Sequence, residues 1–481
     1  MKINKIILGI GLSCALALPA CESVIEVGPE FAEDGSQIFT SLNDYELALT
    51  GAYSLFRQVG YFGNGGQTTG AWSVLPDLMS DNLVQTAEDL ANWQNQINLE
   101  YSTDDADVAA SWIAAYSVIG QANLVLRNIE QFSETDPERV NRIKGQALAI
   151  RGMVHFDLLR YWGVEFERNS TALGVPYKTI VDINDMPRRL TVEETYDNIF
   201  RDLEEAETLL GDVDQEINTS NRAYIDQLTV QAILARVNLY AEEYAAAESY
   251  ATMVIEQMPL ADMDDFQAIW GDASTEEVIW AVSFNAGEGS PASSVFNAPS
   301  NRNRARPATP LLESYDMGDD IRYGTYFSTR SLSGNSRNIL SKFIGRGSAE
   351  DNLVDWKVFR TGEMYLIRAE ARARQAGKEA LGLADLNELR AARIVGYTPV
   401  NLSGQALLDA IALERRKELV GEGHRFFDLK RTTRTLTRTD SDLASTNLSV
   451  SPDAIEWVWP IPQGEIDANP NIADQQTPGY N

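Results

Sequence analysis

Two glutamates raise the first chemical question. Glu363 and Glu370 lie two helical turns apart on one face of FRTGEMYLIRAEARAR, the arrangement of a carboxylate pair that cleaves glycosidic bonds. Arg360 and Arg368 stand in the same stretch, so the competing reading is buried ion pairing. Other acid–base chemistry has little to draw on. His155 and His424 are the only histidines and lie far apart in the chain. That count excludes a zinc site built on several imidazoles, and it leaves a serine or cysteine nucleophile only two candidate partners. His155 stands among apolar residues and reads as a satisfied core histidine. His424 belongs to a charged run with Glu414, Arg415, Arg416, Arg425 and Asp428. The run reads as a network tying a helix end to its neighbours, although a histidine there could titrate near neutral pH. No catalytic residue, metal ligand set or cofactor is expected.

Binding chemistry has better material. Trp93 and Trp72 fall outside regular apolar patterns, in the N-terminal loop region. An exposed indole face suits a sugar ring. The axial C–H groups pack on the π surface while amides and carboxylates bond the hydroxyls. Asp81, Asn82, Gln94, Asn95 and Gln96 are the nearby polar candidates, with Phe296 and Asn297 as further contacts. Arg302, Arg304 and Arg306 form a basic cluster that suits a uronate or sulfate. Alternatively Arg306, before Pro307, anchors its loop and the other two are solvated. Trp162, Trp280, Trp356, Trp457 and Trp459 read as core.

The two cysteines, Cys14 and Cys21, are both N-terminal, so the body beyond them has no disulfide and no thiolate metal site. Lys2 and Lys5 precede an apolar run from Ile6 to Leu18. The run is too short to cross a bilayer comfortably and right for a signal-peptide core. Leu18-Pro19-Ala20-Cys21 then resembles a lipobox, with the Cys21 thiol as the point of lipid attachment. Ordinary secretory cleavage, with Cys21 a bystander, is the alternative. On the lipid reading residues 1–20 are removed and residues 21–37 form a lipidated cysteine and tether. Acyl chains anchor stably, each buried methylene contributing ~0.8 kcal/mol. The net charge of −30 repels phosphate backbones, and no Lys/Arg stripe offsets it, so nucleic acid is not an expected partner.

These side chains need positioning, and the surrounding sequence is mostly helical. In TVEETYDNIFRDLEEAETLL the apolar residues Tyr196, Ile199, Phe200, Leu203, Ala206 and Leu210 share one face, and Thr191 and Glu194 have capping-box spacing. Further helices are expected from Asp104 to about Ile129, from Glu138 to Trp162 before Gly163, and from Ala406 to Val420 before Gly421 and Gly423. In QAILARVNLYAEEYAAAESYATMVIEQMP, Leu234, Ala235, Tyr244, Ala247 and Pro259 have the spacing of a tetratricopeptide pair. MYLIRAEARARQAGKEALGLADLNELRAAR is a looser echo. Residues 60–82, 284–310 and 328–352 read as long irregular segments, and loops of that length are usually functional or mobile. EVIWAVSF and VDWKVFR read as short strands.

Several segments together resemble the SusD/RagB family of Bacteroidetes lipoproteins. They are QALAIRGMVHFDLLRYWG, the helix after Thr191, the pair around Ala235 and Tyr244, EVIWAVSF, FRTGEMYLIRAEARAR, ERRKELVGEGHRFFDLKR and the C-terminal WPIPQGEIDANPNIADQQTPGY. They follow the family's order along nearly the whole chain. The resemblance implies a mostly α, SusD-like fold, with four tetratricopeptide-like helix pairs packed against an irregular, loop-rich ligand-binding half with minor β. It implies a single domain over 38–481, with an N-terminal SusD-like part at about 38–215 and a RagB/SusD C-terminal part at about 270–481. It also implies a non-catalytic glycan-binding lipoprotein on the outer face of the outer membrane. Such a protein presents oligosaccharide or polysaccharide to a SusC-type TonB-dependent transporter. A surface glycoside hydrolase or lyase, and a peptide- or protein-binding helical-repeat lipoprotein, are the alternatives.

Overall fold

Thr191 and Glu194 form the reciprocal cap their spacing suggests. The Glu194 backbone N–H donates to Thr191 Oγ1 at 3.1 Å, and the Thr191 N–H donates to Glu194 Oε2 at 2.9 Å. The helix they open runs Val192–Gly211 and buries Tyr196, Ile199, Leu203, Ala206 and Leu210 of the expected apolar stripe, with Phe200 half-buried at its edge. The computed structural model describes residues 39–65, 70–89, 92–211, 221–332, 334–443 and 447–480. Cys14, Cys21 and the expected tether lie outside the described residues.

Ten helices among the described residues, with further short ones between them, organise the chain: α1 (Leu42–Leu55), α2 (Ala106–Leu126), α3 (Pro137–Trp162), α4 (Val192–Gly211), α5 (Gln227–Tyr240), α6 (Tyr244–Gln257), α7 (Thr361–Ala373), α8 (Glu379–Ala391), α9 (Gly404–Glu418) and α10 (Arg425–Arg431). From α1 to α9 each packs on the next, a serial array in chain order. The segment holding α2 is apolar and long enough to cross a membrane by length and composition, yet 56% of its apolar window is buried inside the fold.

Two glycines allow a close helix approach. A Cβ on Gly145 of α3 would lie 2.8 Å from Leu210 Cγ, and one on Gly152 would lie 3.0 Å from Leu203 Cγ. Their absent side chains let α4 lie against α3.

Strands are few and short. The expected strands β2 (Val278–Val282) and β8 (Trp356–Arg360) pair antiparallel and are buried along their length. The other strands lie in the loop-rich half. There β1 (Leu83–Gln85) pairs with β5 (Ala305–Pro307), and β3 (Phe296–Asn297) with β4 (Arg302–Asn303). Residues 328–352, expected to be irregular, in fact contribute most of a hairpin in which β6 (Phe327–Leu332) pairs with β7 (Asn335–Leu340). Alternate polar and small residues hid the strand period there.

The C-terminal tail closes the core. Trp459 stacks on Tyr161 with ring centres 3.8 Å apart, and its backbone N–H donates to the Tyr161 carbonyl at 2.9 Å. Arg189 clasps both sides of this seam, donating to the Trp162 carbonyl at 2.6 Å and the Gln475 carbonyl at 2.9 Å. Trp162, Trp280, Trp356 and Trp459 are fully buried, and Trp457 nearly so.

Candidate functional site

The carboxylate pair on α7 is occupied by arginines. Glu363 accepts from Arg236 at 2.9 and 2.6 Å, and Glu370 from Arg431 at 2.9 and 2.7 Å. Burial would raise both carboxyls, but the guanidiniums outweigh it: Glu363 is held below its ordinary value and Glu370 at about 2. Neither can hold a proton for general-acid work near neutrality. The partners differ from the sequence expectation. Arg360 pairs with Glu277, Glu418 and Glu422, and Arg368 with Asp385.

Both histidines are buried. Lys178 donates its backbone N–H to His155 Nε2 at 3.1 Å, so Nδ1 carries the proton and meets the Arg151 carbonyl at 2.8 Å. Burial pushes His155 down to about 3. His424 is pushed well below its ordinary value by burial and by the charges of Arg236, Arg415, Arg160 and Arg360. It is not a titrating group near neutral pH.

The loop-rich half brings three distant segments together. Arg302 Nε donates to the Glu88 carbonyl at 2.6 Å, and the Asn303 N–H to Glu88 Oε2 at 2.9 Å. Asn303 Nδ2 then reaches the Asn338 carbonyl on β7 at 3.1 Å. The Arg304 guanidinium lies 6.0 Å from the centre of the Trp93 ring. Along these tied segments sit buried polar atoms with no hydrogen-bond partner: Asp89 Oδ1, Trp93 Nε1, Asn303 Oδ1 and Ser328 Oγ. Native interiors rarely leave such atoms unpaired, and among the described residues these four have no protein partner, which is where ordered water is expected. Burial raises the Asp89 carboxyl to about 6, against the hydrogen bond from Gln85 and the charges of Arg304 and Arg302.

Trp93 also borders a polar hollow of about 420 Å³ with Gln94, Asn95, Gln96, Ser102 and Asp104. Its backbone is left-handed at φ 52°, as is that of Leu99 at φ 59°, and the short helix Gln94–Asn98 is held between them. A bulky residue at positive φ is strained, and its surroundings must hold it there. Asn95 is exposed, while Gln96 is buried and donates to Asp105 at 2.8 Å.

Several expected ligand residues turn out to be structural. Trp72 is 2% exposed, packs on Tyr61 and donates its indole N–H to the Asp157 carbonyl at 3.0 Å. It offers no face to a sugar, because the glycine-rich segment folds inward beneath the α9–α10 turn. Gly423 in that turn has φ 81°, and a Cβ there would meet the Trp72 carbonyl at 2.6 Å. Phe296 is also 2% exposed and packs on Ile339, because its strand faces the hairpin. Asp81 is paired with Arg425 at 2.7 Å. Asn82 is buried, donating to Asp77 and accepting from Arg416, each at 2.8 Å. Arg302 braces Glu88, and Arg306 anchors its loop through Asp440 and Asp442 at 2.9 and 2.8 Å. Even Trp93 is only 4% exposed, so it presents an edge to the hollow and not a full face.

The sequence reading missed Glu88, Asp89, Asn303 and Ser328. The clustered arginines at 302–306 were a signal that carboxylates would lie opposite, but spacing alone did not say which.

A helical array carrying a loop-built polar face defines the class, and comparison with known proteins defines the family. Residues 65–240 match a SusD-like family described as "Starch-binding associating with outer membrane", and residues 340–480 match the SusD family. SusD-like protein P38 of Formosa agariphila is 25% identical, over 96% of both chains. A SusD superfamily protein of Bacteroides thetaiotaomicron superposes with a TM-score of 0.81 at 27% identity, covering 91% of this chain and 100% of that one. A SusD-like carbohydrate binding protein of Bacteroides vulgatus superposes with a TM-score of 0.77 at 24% identity, covering 90% and 97%. Over both halves, then, the chain is similar to SusD-like proteins.

Proposed function

We propose that this chain is a non-catalytic, lipid-anchored surface protein. It binds an oligosaccharide or polysaccharide and presents it to a SusC-type TonB-dependent transporter in the outer membrane. The observation that carries the reading is the open, amide- and carboxylate-lined hollow of about 420 Å³ at Trp93–Gln96, Ser102 and Asp104. Sugar hydroxyls supply donors and acceptors in matching density. The family description and the name of the Bacteroides vulgatus relative support the ligand class. The arginine-saturated Glu363 and Glu370 favour binding over hydrolysis.

Within this reading Trp93, Asn95 and Gln96 contact ligand, while Asp81, Asn82 and Arg302 hold the face in shape. Cys21 carries the lipid. The N-terminal part at about 38–215 and the C-terminal part at about 270–481 share one domain, and the packed pairs α5–α6 and α7–α8 act as tetratricopeptide-like supports.

Affinity electrophoresis across a polysaccharide panel is the direct test. One or more glycans should retard the protein, and Trp93→Ala should weaken retention roughly tenfold, as expected for one lost aromatic contact. New reducing ends released at turnover rates would overturn the non-catalytic reading. Retention unchanged by Trp93→Ala would move the site elsewhere. Membrane fractionation of a Cys21→Ser variant tests the anchor, and the variant should leave the membrane fraction.

A further inference from the structure

The helical half holds a second polar hollow, of about 430 Å³, that glycan binding at the loop face leaves unused. It opens between α7, α9, α10 and the segment that follows α10. Five arginines line it (Arg374, Arg415, Arg425, Arg431 and Arg434) against three carboxylates, Glu370, Asp409 and Asp428. In a chain of net charge −30 this is a local reversal of sign.

The carboxylates are shared, which leaves N–H groups over. Glu370 accepts from Arg431 Nη2 at 2.7 Å and from Arg374 Nε at 3.0 Å. Asp428 accepts the Nε–H of both Arg415 and Arg431, at 2.8 and 2.9 Å. Among the described residues, Arg374 therefore commits only its Nε, to Glu370, and Arg434 only its Nη2, to Asp409. These two side chains are 32% and 38% exposed, so they form the accessible rim. Below them Arg415 is buried, and its Nη1 has no hydrogen-bond partner among the described residues. The chain leaves α10 through Thr433 at φ 50°, a conformation that strains a β-branched residue. The same turn carries Arg434 and Thr435 on the wall of the hollow.

We propose that this hollow binds a tetrahedral oxyanion, a sulfate or phosphate group. Arg374 and Arg434 are its charged donors, Thr435 a neutral one, and Arg415 a positive floor. Guanidinium forks match paired oxyanion oxygens, and charge-assisted bonds of this kind are the strong ones. A free ion and an ester carried on a sugar present the same oxygens. The site shares no lining residue with the hollow at Trp93, so it stands or falls separately from the glycan reading.

Calorimetric titration of the whole chain tests it, with sodium sulfate or phosphate added at an ionic strength fixed by sodium chloride. Saturable binding is expected, weakened roughly tenfold by Arg434→Gln and likewise by Arg374→Gln. Both changes fall on partly exposed side chains, and unaltered circular dichroism would verify the fold. A sulfated oligosaccharide that binds more tightly than both sulfate and its desulfated counterpart supports a sugar-borne group. Equal affinity for free sulfate and the ester supports a free ion. Absence of saturable binding against chloride overturns the proposal, as does binding that neither variant changes. Occupancy by an acidic peptide that sulfate cannot displace also overturns it, in favour of a protein partner.

Discussion

His155 shows how one side chain can set a pH dependence. It is buried and neutral, with both ring nitrogens engaged and its ring stacked on Tyr177. Its folded pKa, about 3, lies below its unfolded value. The stability it contributes is therefore complete above about pH 6.5 and declines as pH falls toward the folded value, by about 1.4 kcal/mol per unit. Asp89 has the opposite sign. Its carboxyl is raised to about 6, so its contribution is present at low pH and is lost as pH rises through about 6. Urea denaturation of wild type and His155→Asn should separate the two. The free-energy gap between them should narrow by about 2 kcal/mol between pH 6.5 and 5, because only the wild type has an imidazole that takes up a proton once unfolded. A gap independent of pH would refute the buried-neutral assignment. His155 was legible in the sequence because a lone imidazole in an apolar helix has few other roles. Asp89 was not, because its burial depends on Arg302 and Arg304 arriving from a loop far along the chain.

Elements with strong local signals were read correctly, β2 and β8 among them, and short elements whose only cause is a distant partner were not. Helix α4 follows from the Thr191–Glu194 cap and one apolar stripe, all within a single segment. Strand β1 exists because β5 pairs with it, and neither has enough residues to show a period. The hollow at Trp93 inherits that blindness, since its position depends on β1 and the Arg304 contact. Packing sites give sharper tests. Gly152→Leu should force α3 from α4 and destabilise by about 1–3 kcal/mol, the usual cost of overpacking, read as a lower urea midpoint. Glu418 is wholly buried and bonds Arg360, Arg393 and Arg322. Burial opposes its charge, yet those arginines hold its carboxyl well below the ordinary value. Glu418→Gln should cost about 3–5 kcal/mol, because it leaves buried guanidiniums without their counter-charge. A loss below 1 kcal/mol would mean that water reaches the network.

At the scale of the molecule, the fold was legible because family segments recur in order from α3 to Tyr480, and the order itself carries the information. The candidate face was less legible because its residues come from the connections between those segments. The serial array and the tail seam make one further test. Removing residues 459–480 would uncover Tyr161 and Trp162 and leave Arg189 without the Gln475 carbonyl. The truncated chain should bind a hydrophobic dye and lose its cooperative melt, since a large aromatic seam in the core would open.

That seam also bears on timing. The strip that covers Tyr161 and Trp162 is the last part of the described chain to be made, and it docks on a helix made much earlier. In order of synthesis, this core cannot close until the strip from Trp459 to Thr477 is available to cover Tyr161 and Trp162. Docking of that strip would therefore be a late folding step, and one that joins segments about 300 residues apart in the chain.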